Sequence, residues 1–171
     1  MLRVDFPTDQ VRKDLELTRR EVLKAQQRAI FSSTRKFRTE LFRDLRTDSD
    51  VKDKSIRNRI KSFPSKGKIW LGILPVLATS LKTTKLIGGG RGKAKKVVVN
   101  GAEVPGGFAH TQGRYKNIPF KRTGLGKSLE TIKGDFNVDA QGAFNRLARK
   151  APDILIREFN RLAEVAIRER K

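Results

Sequence analysis

The chain has 171 residues, and its 39 Lys and Arg outnumber its 18 Asp and Glu to give a formal net charge of +21. The absence of cysteine excludes a disulfide framework, a thiolate nucleophile and a cysteine-ligated zinc site. The length predicts one domain spanning residues 1–171. Because no apolar run approaches the ~18 residues of a membrane span, we expect a soluble protein made in the cytoplasm.

The first predicted element is a helix from Asp9 to about Leu45, since neither Gly nor Pro interrupts this stretch. Its apolar stripe comprises Val11, Leu15, Val22, Ala25, Ala29, Phe37, Leu41 and Leu45. Unbroken, it would measure ~55 Å, against ~40 Å for a compact domain of this length, so it must project or bend. A projecting helix predicts an oligomer contact through the apolar side chains outside the stripe: Leu17, Ile30, Phe31 and Phe42. A kinked helix would instead cover its own core.

A short basic helix follows, marked by Val51, Ile56 and Ile60 and ending before Phe63-Pro64. Its exposed side is predicted to carry Arg57, Arg59 and Lys61. From Lys68 the period changes to two, which predicts a strand that Pro75 ends.

Residues 82–96 are predicted to form a mobile loop, because Gly88-Gly89-Gly90-Arg91-Gly92-Lys93 carries no apolar side chain. Two hairpins should follow. The first turns at Asn100-Gly101, the pair that best supplies two positive φ angles. The second joins residues 107–111 to 115–121 through Gln112-Gly113, with Pro119 keeping its strand at an edge. Residues 129–138 predict a weaker strand.

The helical period returns at Asp139, and Pro152 is predicted to open a last helix. This order of elements predicts an α+β fold: a long N-terminal helix, a central antiparallel β-sheet with hairpins, and C-terminal helices packed on the sheet. Its parts would be a helical part (1–62), a basic β-rich part (63–138) and the C-terminal helices (139–171).

Positive charge is concentrated in the middle of the chain. Between Lys54 and Lys127 there are 17 Lys and Arg and a single acid, Glu103. Such a block predicts a polyanionic partner, above all nucleic acid, although a merely solvated surface is the alternative. The candidate contacts are Arg57, Arg59, Lys61, Lys82, Lys85, Arg91, Lys93, Lys95, Lys96, Arg114, Lys116, Lys121 and Arg122.

Two stretches come close to a phosphate-binding loop, and both fail its spacing. Gly92-Lys93 would need glycine where Ile87 stands, and Gly126-Lys127-Ser128 would need it at Lys121. A nuclease would need a carboxylate cluster near the basic block, which offers only Glu103. We therefore predict no enzymatic activity, no cofactor and no metal site.

Aromatic residues interleave with the basic residues of the second hairpin. Phe108, Tyr115 and Phe120 could stack on single-stranded nucleic acid, but aromatics at strand spacing are more often core, and core is the favoured interpretation. Trp70 is interpreted as core for the same reason, and His110 as a polar residue on a strand face.

Short motifs between Lys68 and Arg122 occur in a distinctive order. They are Lys68-Ile69-Trp70-Leu71-Gly72-Ile73-Leu74-Pro75-Val76, the glycine-rich loop, Val99-Asn100-Gly101, Val104-Pro105-Gly106-Gly107-Phe108-Ala109 and Pro119-Phe120-Lys121-Arg122. The series resembles the bacteriophage minor tail protein Z family, the tail-completion proteins of long-tailed phages and prophages. The whole chain fits the family plan, with glycine in Gly106-Gly107-Phe108 where alanine is usual and with Pro119 beside Phe-Lys-Arg.

The resemblance implies a structural protein of the phage tail or neck that completes the tail and joins it to the head. It implies a homo-oligomeric ring, commonly six-fold, around the DNA channel, with sequence-nonspecific contact to DNA. The implied protein partners are the tail terminator, the tape measure and the connector. The implied location is the virion tail or neck, after assembly in the host cytoplasm. The alternative is a ribosomal or other RNA-binding structural protein, which predicts a monomer with sequence- or shape-specific RNA binding.

Overall fold

The computed structural model describes residues 2–4, 19–90, 93–123 and 128–168. These residues belong to two compact units. The helical unit comprises the described residues of Met1–Asp48, Arg57–Ile73 and Asp139–Lys171, and the sheet unit those of Ser49–Ile56 and Leu74–Val138. The predicted β-rich part, 63–138, thus contributes residues 63–73 to the helical unit.

The long N-terminal helix, α1, spans Arg19–Asp48 in the structure, about 45 Å at 1.5 Å per residue. The predicted stripe is confirmed over this span, since it supplies five fully or almost fully buried side chains. These are Ala25, Ala29, Phe37, Leu41 and Leu45. The predicted start of the helix, together with Val11, Leu15 and Leu17, lies outside the described residues.

The short basic helix, α2, spans Asp53–Arg59 and ends earlier than predicted. Residues Ile60–Phe63 form strand β2, which pairs antiparallel with β3 (Lys68–Leu71), and β3 also pairs with β1 (Leu2–Val4). The assignment of Ile60 and Lys61 to a helix was wrong because Ile60 lies opposite Leu71 in the ladder, where both side chains are buried. Phe63 and Trp70 extend this contact with ring centroids 5.1 Å apart.

One C-terminal helix, α3, spans Asn137–Arg168, where two helices separated at Pro152 were predicted. Proline inside a helix removes a hydrogen-bond donor and crowds the preceding turn. The buried face nevertheless continues across Pro152, with Leu147 and Ala151 before it and Leu155 after it. This packing holds the helix together, and Phe144 meets Phe37 of α1 with centroids 5.9 Å apart.

The sheet unit contains a five-stranded antiparallel sheet in chain order. Its strands are β5 (Lys85–Ile87), β6 (Lys95–Val99), β7 (Ala102–Ala109), β8 (Pro119–Arg122) and β9 (Leu129–Thr131). The turn between β6 and β7 is confirmed, because Asn100 and Gly101 have φ angles of 52° and 81°. Strands β4 (Val76–Leu77) and β10 (Lys133–Gly134) form a separate pair.

Two predictions within this sheet were wrong. The segment 82–96 is not a loop throughout, since Lys85–Ile87 forms strand β5. Leu86 of β5 pairs with the buried Val97 of β6, and this apolar pairing stabilises the extended conformation. Strand β8 is not an edge strand, since it lies between β7 and β9. Pro119 is tolerated there because it is the first residue of the strand, and its carbonyl accepts a hydrogen bond of 3.0 Å from the Ile132 amide.

The predicted second hairpin exists as the β7–β8 pair, but β8 begins at Pro119 rather than at Tyr115. With its long helices, antiparallel sheets and hairpins, the α+β class is confirmed. No helix within the described ranges is long and apolar enough to cross a membrane.

Candidate nucleic-acid interface

The five-stranded sheet has one buried and one open face. Residues directly opposite each other on paired strands point to the same side of a sheet. A row on one side crosses all five strands: Ile87, Lys96, Phe108, Phe120 and Thr131. We call this side the open face, and it also carries His110 and Arg122, two residues beyond Phe108 and Phe120. The other side carries Val97, Ala109 and Pro119, all buried.

Four rings meet on the open face, and we call them the aromatic cluster: Phe108, His110, Tyr115 and Phe120. Phe120 lies at its centre, with ring centroids 6.2 Å from Phe108, 6.0 Å from His110 and 6.0 Å from Tyr115. Tyr115 is 53% exposed, His110 is exposed, and both phenylalanines are half-buried. The prediction that these aromatics belong to the core was therefore wrong, because the buried side of the sheet is occupied by other residues.

An open cleft of about 700 Å³ adjoins the cluster, and Phe108, His110 and Arg122 line part of it. Gly106 and Gly107 also line it, at an irregularity of β7. Glu103 and Phe108 of β7 pair with Val98 and Lys96 of β6, so the four residues 104–107 lie opposite a single residue of β6. Gly106 has a φ of 66°, and a Cβ on Gly107 would lie 2.9 Å from the Val104 carbonyl oxygen. This backbone requires glycine, so the cleft there has a wall without side chains.

Basic residues are concentrated in the segment that forms the five-stranded sheet. From Lys85 to Arg122 the sequence has nine Lys and Arg and one acid, Glu103. Seven of the predicted contacts in the sheet unit are exposed: Lys82, Lys85, Lys93, Lys96, Arg114, Lys116 and Arg122. Lys96 pairs with Glu103 at 3.0 Å, but both side chains are more than half exposed, and such pairs contribute only ~0–1 kcal/mol. A phosphate can therefore replace Glu103 at small cost.

Lys82 and two further predicted contacts, Lys95 and Lys121, already have protein partners. The Lys82 ammonium donates to the Ser49 carbonyl at 2.7 Å, and that of Lys95 donates to the Asn117 side chain at 3.1 Å. Lys121 lies on the side opposite to the cluster and pairs with Glu130 at 3.3 Å. Arg91 lies outside the described residues.

The remaining predicted contacts, Arg57, Arg59 and Lys61, belong to the helical unit. Arg57 lies 5.0 Å from the centre of the Phe42 ring, and Lys61 is exposed on β2 rather than on a helix. Arg59 is half-buried rather than exposed; burial lowers its pKa, and its guanidinium donates to the Gly72 carbonyl at 3.3 Å. The fold therefore divides the basic block of the sequence between two units.

The predicted oligomer contacts lie on α1, apart from Leu17. Ile30 is half-buried, and the half-buried Phe42 has Arg57 over its ring. Phe31 alone of these three is classed as exposed, at 45%, with Arg35 5.7 Å from its ring centre. It borders an open depression of about 610 Å³ that Leu162 of α3 also lines.

No group of three or more His, Asp or Glu that could hold a metal ion occurs within the described ranges. Comparisons with protein-family models, with curated proteins and with solved structures found no match to this chain. The family resemblance therefore depends on the order of the short motifs alone.

Proposed function

We propose that this chain is a non-enzymatic structural protein of a bacteriophage tail or neck, which completes the tail and joins it to the head. In this role it forms a ring with copies of itself and touches DNA, without sequence preference, through the open face of the sheet unit. The motif order from Lys68 to Arg122 supports the tail assignment. The observation that carries the DNA contact is the open face, with its excess of exposed Lys and Arg over acid.

The expected binding is electrostatic. Each phosphate that a Lys or Arg neutralises contributes ~0.9 to the slope of log affinity against log salt concentration for duplex DNA. The six residues Lys85, Lys93, Lys96, Arg114, Lys116 and Arg122 would contribute ~5 if all met phosphates. Because their exposed charges contribute little to folding, neutralising them should change DNA affinity much more than stability.

The test compares two triple variants by fluorescence anisotropy with several unrelated duplexes at 50–300 mM salt, roughly the range over which such affinities fall steeply. Lys85→Gln/Lys96→Gln/Arg122→Gln, at three exposed positions on the open face, should reduce the slope by up to ~3, equally for every sequence. The control neutralises three exposed positions of the helical unit, Arg38, Arg149 and Lys150. Equal slopes for both variants and the parent chain would show that the open face does not meet DNA.

The tail role is tested separately, in the phage or prophage that encodes the chain. Deleting the gene should leave DNA packaging intact but yield non-infectious or wrongly joined particles, and supplying the chain in trans should restore plating. Normal plating of the deletion strain would refute tail completion.

The second candidate is a ribosomal or other RNA-binding structural protein, which the aromatic rings among basic residues also favour. It predicts a monomer with at least tenfold preference for one structured RNA over unrelated DNA of equal length, roughly the discrimination of one or two specific contacts. Equal affinities would reject it.

A further inference from the structure

We propose that the aromatic cluster is a stacking site for unpaired bases of single-stranded nucleic acid, with the neighbouring Lys and Arg on the phosphates. The inference rests on the proposed function in one respect, namely that the sheet unit faces nucleic acid. It goes further by specifying single-stranded rather than duplex nucleic acid and by naming the residues that select it.

The rings of the aromatic cluster reach the surface of the protein. Phe108 and Phe120 lie opposite each other on the open face, where a burying layer would normally cover them, and Tyr115 remains 53% exposed beside them. Exposed apolar patches on the surface of a protein commonly mark binding sites. Phe120 contacts each of the other three rings, so the four form one continuous surface rather than scattered positions.

The rings of the aromatic cluster suit an unpaired base. The Phe108 and Phe120 planes are inclined by 34°, whereas Tyr115 stands at 85° to Phe120, so ring faces are offered in two orientations. Within a duplex each base face is covered by its neighbours, and only an unpaired base has a free face to place on an aromatic ring. Such stacking is tolerant of sequence because every base has a π-face.

Lys and Arg residues lie beside the rings. Lys96 stands directly opposite Phe108 on β6, and Arg122 lines the same cleft as Phe108 and His110. Arg114 and Lys116 flank Tyr115 in the chain, and both are exposed. Cations thus lie on more than one side of the rings, as a phosphate backbone crossing the cluster requires. The open face is a poor surface for a second copy, because each chain carries +21 and this region is strongly basic.

The experiment measures fluorescence anisotropy of labelled 15-nucleotide dT, 15-nucleotide U and a 15-base-pair duplex over a range of salt concentrations. Tyr115→Leu should weaken single-strand binding roughly 5- to 100-fold, the loss typical of one stacked base, with an unchanged salt slope and unchanged duplex affinity. Tyr115→Phe should retain most of the affinity. The control is Phe63→Leu, which removes a ring that is 38% exposed from the helical unit and should leave the affinities for single strand and duplex unchanged.

A second measurement leaves Tyr115 in place. Tyr115 is the only tyrosine and Trp70 the only tryptophan, so in the Trp70→Phe chain all tyrosine emission comes from Tyr115. Stacking of a base on this ring should quench that emission on titration with dT, and the duplex should quench it much less.

The outcomes separate the two proposals. Equal binding of single strand and duplex, unaffected by Tyr115→Leu, would overturn the stacking site and leave electrostatic DNA binding standing. Failure of either nucleic acid to bind at low salt would overturn both. Equal affinity for dT and U supports stacking on bases in general, and a strong preference for U supports stacking while favouring the RNA-binding candidate.

Discussion

Replacing Glu158 tests the packing of the two long helices. Glu158 of α3 is 3% exposed, and its carboxylate accepts three hydrogen bonds. The donors are the Ser32 hydroxyl at 2.7 Å, the Lys36 ammonium, and the Arg161 guanidinium at 3.2 Å. Burial alone would raise the pKa of Glu158, but the hydrogen bonds from Lys36, Ser32 and Arg161 outweigh it and lower the pKa from 4.5 to about 2.

The lowered pKa of Glu158 corresponds to an increase in the free energy of unfolding. A folded-state pKa below the unfolded value means that the ionised carboxylate stabilises the fold at pH values above about 4.5, and that this stabilisation is lost as the pH falls towards about 2. The shift corresponds to about 3 kcal/mol. Lys36 and Arg161 are 55% and 57% exposed and can return to water, so the expected loss in Glu158→Gln at pH 7 is about 2–3 kcal/mol.

The assay is urea unfolding followed by the fluorescence of Trp70, the only tryptophan, which reports on the helical unit. The difference between Glu158→Gln and the parent chain should be largest at pH 7 and should shrink between about pH 4.5 and pH 2. Glu164→Gln, on the exposed side of the same helix, should cost less than about 0.5 kcal/mol. A loss of less than about 1 kcal/mol at pH 7, or an equal loss at pH 2, would refute the reasoning.

Two further substitutions test other parts of the fold. Gly107→Ala should destabilise the sheet unit by about 1–3 kcal/mol in thermal unfolding, because the new Cβ would lie 2.9 Å from the Val104 carbonyl oxygen; Gly90→Ala meets nothing within 4 Å and is its control. Phe31→Asp should shift the protein to a smaller species in sedimentation velocity if α1 makes the ring contact. Val138→Asp, at a side chain that is 73% exposed, should leave the sedimentation unchanged, and the same result for Phe31→Asp would contradict that contact.

The predictions that succeeded depend on local signals. The apolar stripe of α1 repeats at helical spacing, so Phe37, Leu41 and Leu45 could be assigned to the core without knowing their partners. The turn at Asn100-Gly101 is similarly local, since it depends only on two positive φ angles.

The predictions that failed concern elements that exist because of distant partners. Ile60 continues a helical pattern in the sequence, but it becomes extended because Leu71 offers it a buried ladder position. Lys85–Ile87 has too few apolar residues to indicate a strand and gains its order from pairing with β6. Short strands of this kind have little intrinsic preference for the extended conformation, so tertiary contacts decide whether they form.

The candidate site was only partly predictable. The sequence indicated the basic residues and even the aromatic interleaving, but it could not show which side of the sheet is covered. Phe108 and Phe120 have the spacing of core residues, and only the burial of Val97 and Ala109 on the opposite side shows that the aromatics face outward. Spacing reveals that a strand has two sides without saying which one is buried.

The pairing of α1 with α3 also fixes the order in which parts of the chain can fold during synthesis. Lys36 and Glu158 are 122 residues apart, so at about 5–20 residues per second roughly 6–24 seconds pass between the synthesis of the two partners. The residues of the sheet unit are all synthesised within that interval, and they can pair as soon as they emerge. During the same time the apolar stripe of α1 lacks its partner helix, so a chaperone can bind the surface that α3 later covers.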